Sequence, residues 1–200
     1  MSRLMPLMLL AALAGCRTAP PIDIACSGPF SANSTDTKMM EVFGPANVIA
    51  DNIATGEGQS EEGTVIFPLD KQRRIEVLWK DPLHRRNPKS VRLQASSVRR
   101  TYGGIGIGAD LKRVEARNGK PFTLAGFGWD YAGTTASWNG GSLSKTGPCT
   151  LKLRFQPQTN GTASEEAALK ATSGDREFSS AMPEMQLLDP KVYEILLQYR

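Results

Sequence analysis

Apolar positions along the chain follow two periods, and the switches between them mark the expected elements. Residues 35–45 read Thr-Asp-Thr-Lys-Met-Met-Glu-Val-Phe-Gly-Pro. Met39 and Phe43 fall four apart on one face of a short helix that Thr35 caps and Gly44 ends. From Val65 the period drops to two. Val65-Ile66-Phe67-Pro68 leads through a polar turn into Arg74–Trp79, where Ile75, Val77 and Trp79 alternate, which predicts a hairpin. A further strand is expected over Val91–Val98.

The plan then repeats. Asp110 stands as a cap, Val114 follows four later and Gly119 five after that, the spacing of Thr35, Met39 and Gly44. Strands are expected at Phe122–Tyr131, Thr134–Trp138 and Thr150–Phe155, and a short helix over Glu165–Ala171 capped by Ser164. At the end, Asp189 precedes Pro190, and Val192, Ile195, Leu196 and Tyr199 form a helical stripe. The expected fold is α+β. Two similar short helix-plus-antiparallel-hairpin units, residues 34–101 and 102–156, pack as one domain, and residues 157–200 supply a loop and a C-terminal helix.

The first residues break this pattern. Arg3 is followed by an uncharged apolar run of 11 residues, Leu4–Ala14. A bilayer-spanning helix needs about 20, whereas this length suits the apolar stretch of an export leader. The run ends in Leu13-Ala14-Gly15-Cys16, which resembles the lipobox of bacterial lipoproteins. That resemblance implies a signal peptide over residues 1–15, its removal, and a diacylglyceryl thioether with further acylation on Cys16. It also implies a membrane anchor at ~0.8 kcal/mol per buried methylene. Arg17 rather than Asp after the cysteine implies, by the same resemblance, the outer membrane facing the periplasm. Residues 16–33, with Pro20-Pro21, are expected to be a tether. With Cys16 lipidated, Cys26 and Cys149 remain as an even pair in an oxidising compartment. A disulfide between them would close a loop of more than a hundred residues, worth about 4–5 kcal/mol in chain entropy.

Charge narrows the partners. Losing Arg3 with the leader takes 24 basic residues to 23 against 20 acidic, an excess too small to imply nucleic acid. The pairs Arg73-Arg74, Arg85-Arg86 and Arg99-Arg100 face phosphate-bearing lipid or glycan in one reading and plain solvent in the other.

No catalytic constellation is visible, and neither a cofactor nor a metal is expected. His84 is the only histidine and sits in a polar stretch that reads as an exposed loop. Gly-x-Ser-x-Gly, His-Glu-x-x-His and zinc-ligand spacings do not occur. Gly103–Gly108 lacks the Lys-Ser/Thr of a phosphate loop, and the acid pairs Glu61-Glu62 and Glu165-Glu166 lie in polar context. The segment Phe122–Trp138 carries the candidate binding residues. In an extended strand Phe127, Trp129 and Tyr131 share one face, either packing into the core or forming, with Trp138, an aromatic platform for a protein or a sugar.

The string Gly108-x-Asp110-x-x-x-Val114-x-x-x-x-Gly119-x-Pro121 resembles the helix motif of SmpA/OmlA (BamE-like) outer-membrane lipoproteins and of β-lactamase-inhibitor-protein-like domains. Asp110 stands where those families carry Thr or Ser. The resemblance implies short helices on one face of an antiparallel sheet and carries no site residues. As a whole the chain resembles proteobacterial lipoproteins. The expected function is therefore a lipid-anchored, non-catalytic envelope module with a protein partner; the alternative is a carbohydrate- or peptidoglycan-binding lipoprotein.

Overall fold

The computed structural model describes residues 22–94, 96–97, 100–144 and 147–200. The expected leader over 1–15, Cys16 and the tether up to residue 21 lie outside the described residues. So do Val98 and Arg99.

The architecture is α+β. β1 (Ile22–Ile24) precedes α1 (Asp36–Phe43), and four strands follow: β2 (Val48–Gly56), β3 (Gln59–Ile66), β4 (Ile75–Asp81) and β5 (Arg86–Leu93). Next come β6 (Arg100–Tyr102), β7 (Ile105–Gly106), α2 (Leu111–Asn118), β8 (Thr123–Ala125), β9 (Thr135–Ser137) and β10 (Cys149–Gln156). α3 (Ala163–Ala171), β11 (Glu177–Ser179), α4 (Pro183–Leu188) and β12 (Lys191–Tyr199) complete the chain. Six strands make one antiparallel sheet in the order β10-β12-β5-β4-β3-β2, and two smaller sheets run β1-β6-β7 and β11-β8-β9.

The two helix motifs form as their local chemistry dictates. The Thr35 side chain accepts from the Lys38 amide and Gly44 ends α1; the Asp110 side chain accepts from the Arg113 amide and Gly119 ends α2 in the left-handed region. The glycine string before α2 is structural. Gly103 and Gly104 turn β6 into β7, and their carbonyl oxygens accept from Arg117 and Arg113 of α2. All four helices among the described residues send side chains to one core: Met39, Leu111 with Val114, Ala168, and Met185 with Leu188. They meet Ile75, Val77 and Trp79 of β4, Leu151, Leu153 and Phe155 of β10, and Ile195 and Leu197 of β12. No helix among the described residues is long and apolar enough to cross a membrane.

Several expectations change. The last helix is α4, and residues 191–199, expected as a helix, form strand β12. The segment that carries the stripe of Val192, Ile195, Leu196 and Tyr199 also carries the period-two set Ile195, Leu197 and Tyr199, and those three bury while β10 and β5 pair on either side. Tertiary pairing decides between two periods the same residues can satisfy. The strand expected over Phe122–Tyr131 stops at Ala125. Gly126 lies so close to the chain at Gly174 that a Cβ would sit 2.4 Å from its carbonyl oxygen, and Phe127 donates its amide to Thr172 O. That contact takes the chain out of the sheet and into a turn. The second helix is thus followed by strands divided between two sheets.

Part of the expected tether is folded: Ile24 and Phe30 are buried, and Cys26 is bonded to Cys149. Strand β5 starts at Arg86 rather than Val91, paired from the turn onward with β4, where Pro88 and a register shift at Leu78/Trp79 hide its alternation. The helix after residue 157 is capped by Thr162, not Ser164. Thr162 and Glu165 form a reciprocal capping box two residues earlier, which satisfies more amide donors than a cap at Ser164.

Candidate functional site

Helices cover one face of the six-stranded sheet; the other face is an open cleft of about 1250 Å³. Its floor is β12, β5 and β4. One wall is the projecting β2–β3 hairpin, with Ile53, Thr55 and Glu57, and the other is residues 130–136, the turn before β9 and the start of that strand. Alternation puts Glu76, Leu78, Ser90, Arg92, Lys152, Arg154, Glu194 and Leu196 on this face while Val77, Val91, Leu153 and Ile195 beside them enter the core. Ile53 is buried on this side, outside the main core, because Gly63 beneath it has no side chain: a Cβ there would meet Ile53 Cδ1 at 2.5 Å.

A row of alternating charge crosses the floor. Glu76 Oε1 accepts from Arg74 Nε at 3.0 Å, and Glu76 Oε2 from Arg92 Nε and Nη2 at 2.8 and 2.6 Å. In register, Arg92 faces Glu76 on one side and Leu196 on the other, and Glu194 lies opposite Arg154. Burial pushes the Glu194 carboxyl above the ordinary range; Arg154 and then Arg92 pull it back, and Glu76 adds to the rise. The folded protein thus holds this proton to higher pH than the unfolded chain does. The associated stability is full below the ordinary glutamate value and is lost as pH rises through the raised one. Glu194→Gln is expected to flatten the fall in melting temperature across that window; an unchanged slope would assign it to another group.

At the β10 side, Arg154 Nη2 donates to Asp130 O at 3.0 Å, and its guanidinium lies 5.4 Å from the Tyr193 ring centroid. Among the described residues, Arg154 Nε and Thr134 Oγ1 are the buried side-chain atoms without a hydrogen-bond partner, and these two residues form a β-bridge. Lys152 Nζ donates to Thr135 O at 2.9 Å, and Lys89 pairs with Glu61 at 2.8 Å.

The four candidate aromatics separate. Phe127 is core, and Trp138 is core with its indole N–H on Leu151 O. Trp129 and Tyr131 are 64% and 77% exposed in the turn beside the cleft, and Tyr131 lines it. The row of three rings on one face does not form, because residues 129–134 turn: Ala132 N donates to Trp129 O and Thr134 N to Tyr131 O.

Gly133 pins this turn. Its φ is +67°, a Cβ would lie 2.1 Å from Phe155 O, and its carbonyl accepts the Phe155 amide. Gly133→Ala is expected to cost about 2 kcal/mol of stability through strain and overpacking and to displace Tyr131. Thermal unfolding and Tyr131 resonances check this; a wild-type melting curve with unmoved resonances would contradict it.

The remaining candidates sit apart. His84 is exposed on the β4–β5 turn, its Nδ1 3.1 Å from the Asp81 carboxylate, away from the cleft floor. The acid pairs divide: Glu61 binds Lys89, Glu62 binds Arg85, and Glu165 is held below its ordinary range by the amides and hydroxyl of its capping box. Among the described residues no group of three His, Cys, Asp or Glu is placed to hold a metal ion.

Sequence reasoning missed the charge row. The alternation of Leu151, Leu153 and Phe155 with Lys152 and Arg154 announces a polar face, but which charges meet depends on register between strands distant in sequence. Comparison with known protein families, characterised proteins and solved structures finds no match to this chain.

Proposed function

We propose that this protein is a bacterial envelope lipoprotein, anchored through lipid on Cys16 to the periplasmic side of the outer membrane, and that it is a non-catalytic module binding a protein partner. The observation that carries the binding role is the open cleft on the sheet, with Tyr131 on its wall and Trp129 next to it. Exposed aromatics beside a large concave surface are the usual anchors of an interface. The Glu76 carboxylate is saturated by Arg74 and Arg92, an arrangement suited to fixing a surface rather than to moving a proton. The leader and the motif Leu13-Ala14-Gly15-Cys16 support the anchor and the address.

A photocrosslinker in place of Trp129 or Tyr131 in living cells is expected to trap one envelope protein reproducibly, whereas one in place of Leu187 on α4 traps none. Trp129→Ala with Tyr131→Ala is expected to leave the melting temperature unchanged, since both rings are exposed, and to abolish the capture. Equal capture at Leu187 would remove the cleft from consideration.

Two exposed rings close in sequence also favour a second reading, stacking on a sugar of the cell wall. Quenching or a blue shift of tryptophan emission on adding purified peptidoglycan, lost in Trp129→Ala, would establish it; no change would exclude it.

A further inference from the structure

The turn between β3 and β4 reads Phe67-Pro-Leu69-Asp-Lys71-Gln-Arg73-Arg74, three cations to one acid, and Leu69 at its tip is 100% exposed. Lys71 is exposed beside it. The turn is rigid: Asp70 N donates to Phe67 O, Arg73 N to Asp70 O, Arg73 Nε meets Asp70 at 2.6 Å, and its guanidinium lies 4.3 Å from the Phe67 ring centroid. Two further exposed apolar side chains flank the same end of the sheet. Ile49 is 40% exposed on β2 opposite Val65, and Val42 is 50% exposed in the last turn of α1. A fully exposed leucine held in a fixed turn beside a lysine is complementary to an apolar surface bordered by negative charge.

The path of the chain says which surface. Ser97 Oγ donates to Arg74 O at 2.7 Å, tying this turn to the segment that leads into β6. Three residues later Arg100 pairs with Ile22, a separation of at most about 11 Å along the backbone. β1 runs parallel to β6 toward Cys26, which is bonded to Cys149 at the opposite end of the sheet, so Ile22 is the end of β1 nearer the Leu69 turn. From Cys16 to Ile22 is a reach of at most about 20 Å. An acylated Cys16 therefore holds this end of the sheet against the bilayer.

We propose that residues 67–74 are the membrane-docking edge of the protein, with Leu69 entering the headgroup boundary and Lys71 beside it meeting anionic phospholipid. Docking on this edge leaves the cleft of the opposite sheet face free along its length. The inference rests on the anchor at Cys16, and intact-mass analysis of protein purified from membranes tests that anchor independently.

The test is amide hydrogen exchange of the full protein in vesicles of phosphatidylethanolamine with phosphatidylglycerol, and in vesicles of phosphatidylcholine alone. If Cys16 proves unacylated, the protein is added to the same preformed vesicles. Exchange at Leu69 and Lys71 is expected to slow in the anionic vesicles, by about fivefold for each cation engaged, and much less in the neutral ones. Leu69→Asp with Lys71→Glu is expected to restore fast exchange while the protein still sediments with the vesicles. Amides of β4 and β12 in the same experiment report that the variant is folded. Equal slowing on both vesicle types, slowing that survives the double substitution, or none at all would each overturn the proposal.

Discussion

Replacing Cys26 and Cys149 together by serine is expected to lower the unfolding free energy by about 5 kcal/mol. The bond joins residues 123 apart, and chain entropy for a loop of that size amounts to about 5 kcal/mol. Both cysteines are buried, and the link ties residues 22–33 to the start of β10. Around it, Ile24 and Phe30 enter the core, and the Tyr199 hydroxyl donates to Phe30 O. Without the bond that segment is held by noncovalent contacts alone, among them the short pairing of β1 with β6, the Gly104 amide on Asp23 Oδ1 and the Phe30 ring against Phe43. Urea unfolding of the double variant, alongside the wild type with and without dithiothreitol, measures the difference. The reduced wild type should match the variant. A loss under about 1 kcal/mol would mean that packing, not loop closure, holds the segment.

The second large effect is at Glu76. Glu76→Gln is expected to cost about 3 kcal/mol, since it removes the charge between Arg74 and Arg92 while leaving Arg92 little exposed. The cost belongs to the stranded cation rather than to the strength of the pair. Glu76→Leu with Arg92→Leu is accordingly expected to recover most of it, because both charges then leave the floor together. Chemical unfolding of the single and double variants tests this; a double variant as unstable as the sum of the singles would refute it. Arg74, more exposed, can turn toward water.

Position in the molecule decides how such charges matter. Lys38–Glu41 on α1 and Lys89–Glu61 at the cleft wall are exposed pairs and contribute little. Arg85 with Asp36 at 2.6 Å is different, because Asp36 is buried in the first turn of α1 and the ion pair joins that helix to the β4–β5 turn. Nothing near Asp36 in sequence indicates this partner, 49 residues away.

What the sequence by itself determined is the part governed by neighbours three to five residues apart. Thr35 and Asp110 as caps, Gly44 and Gly119 as stops, and the β3–β4 hairpin all stand in the structure where spacing placed them. The α+β class and the pairing of Cys26 with Cys149 were legible too, the first from alternating periods and the second from the even pair left once the lipobox resemblance sets Cys16 aside. Tertiary structure decided the rest. Residues 191–199 satisfy a helical and an extended period alike, and only the two strands waiting on either side chose the strand. The approach of residues 172–174 to Gly126 turned an expected aromatic row into two buried rings and two exposed ones. The charge row of the cleft depends on register between strands as distant in sequence as β5 and β12, where Arg92 pairs with Leu196, and a one-residue slip of a strand would turn its members toward the core. Capping energies are local and fixed by type and spacing, whereas strand pairing and burial are set by whichever distant partner completes the sheet.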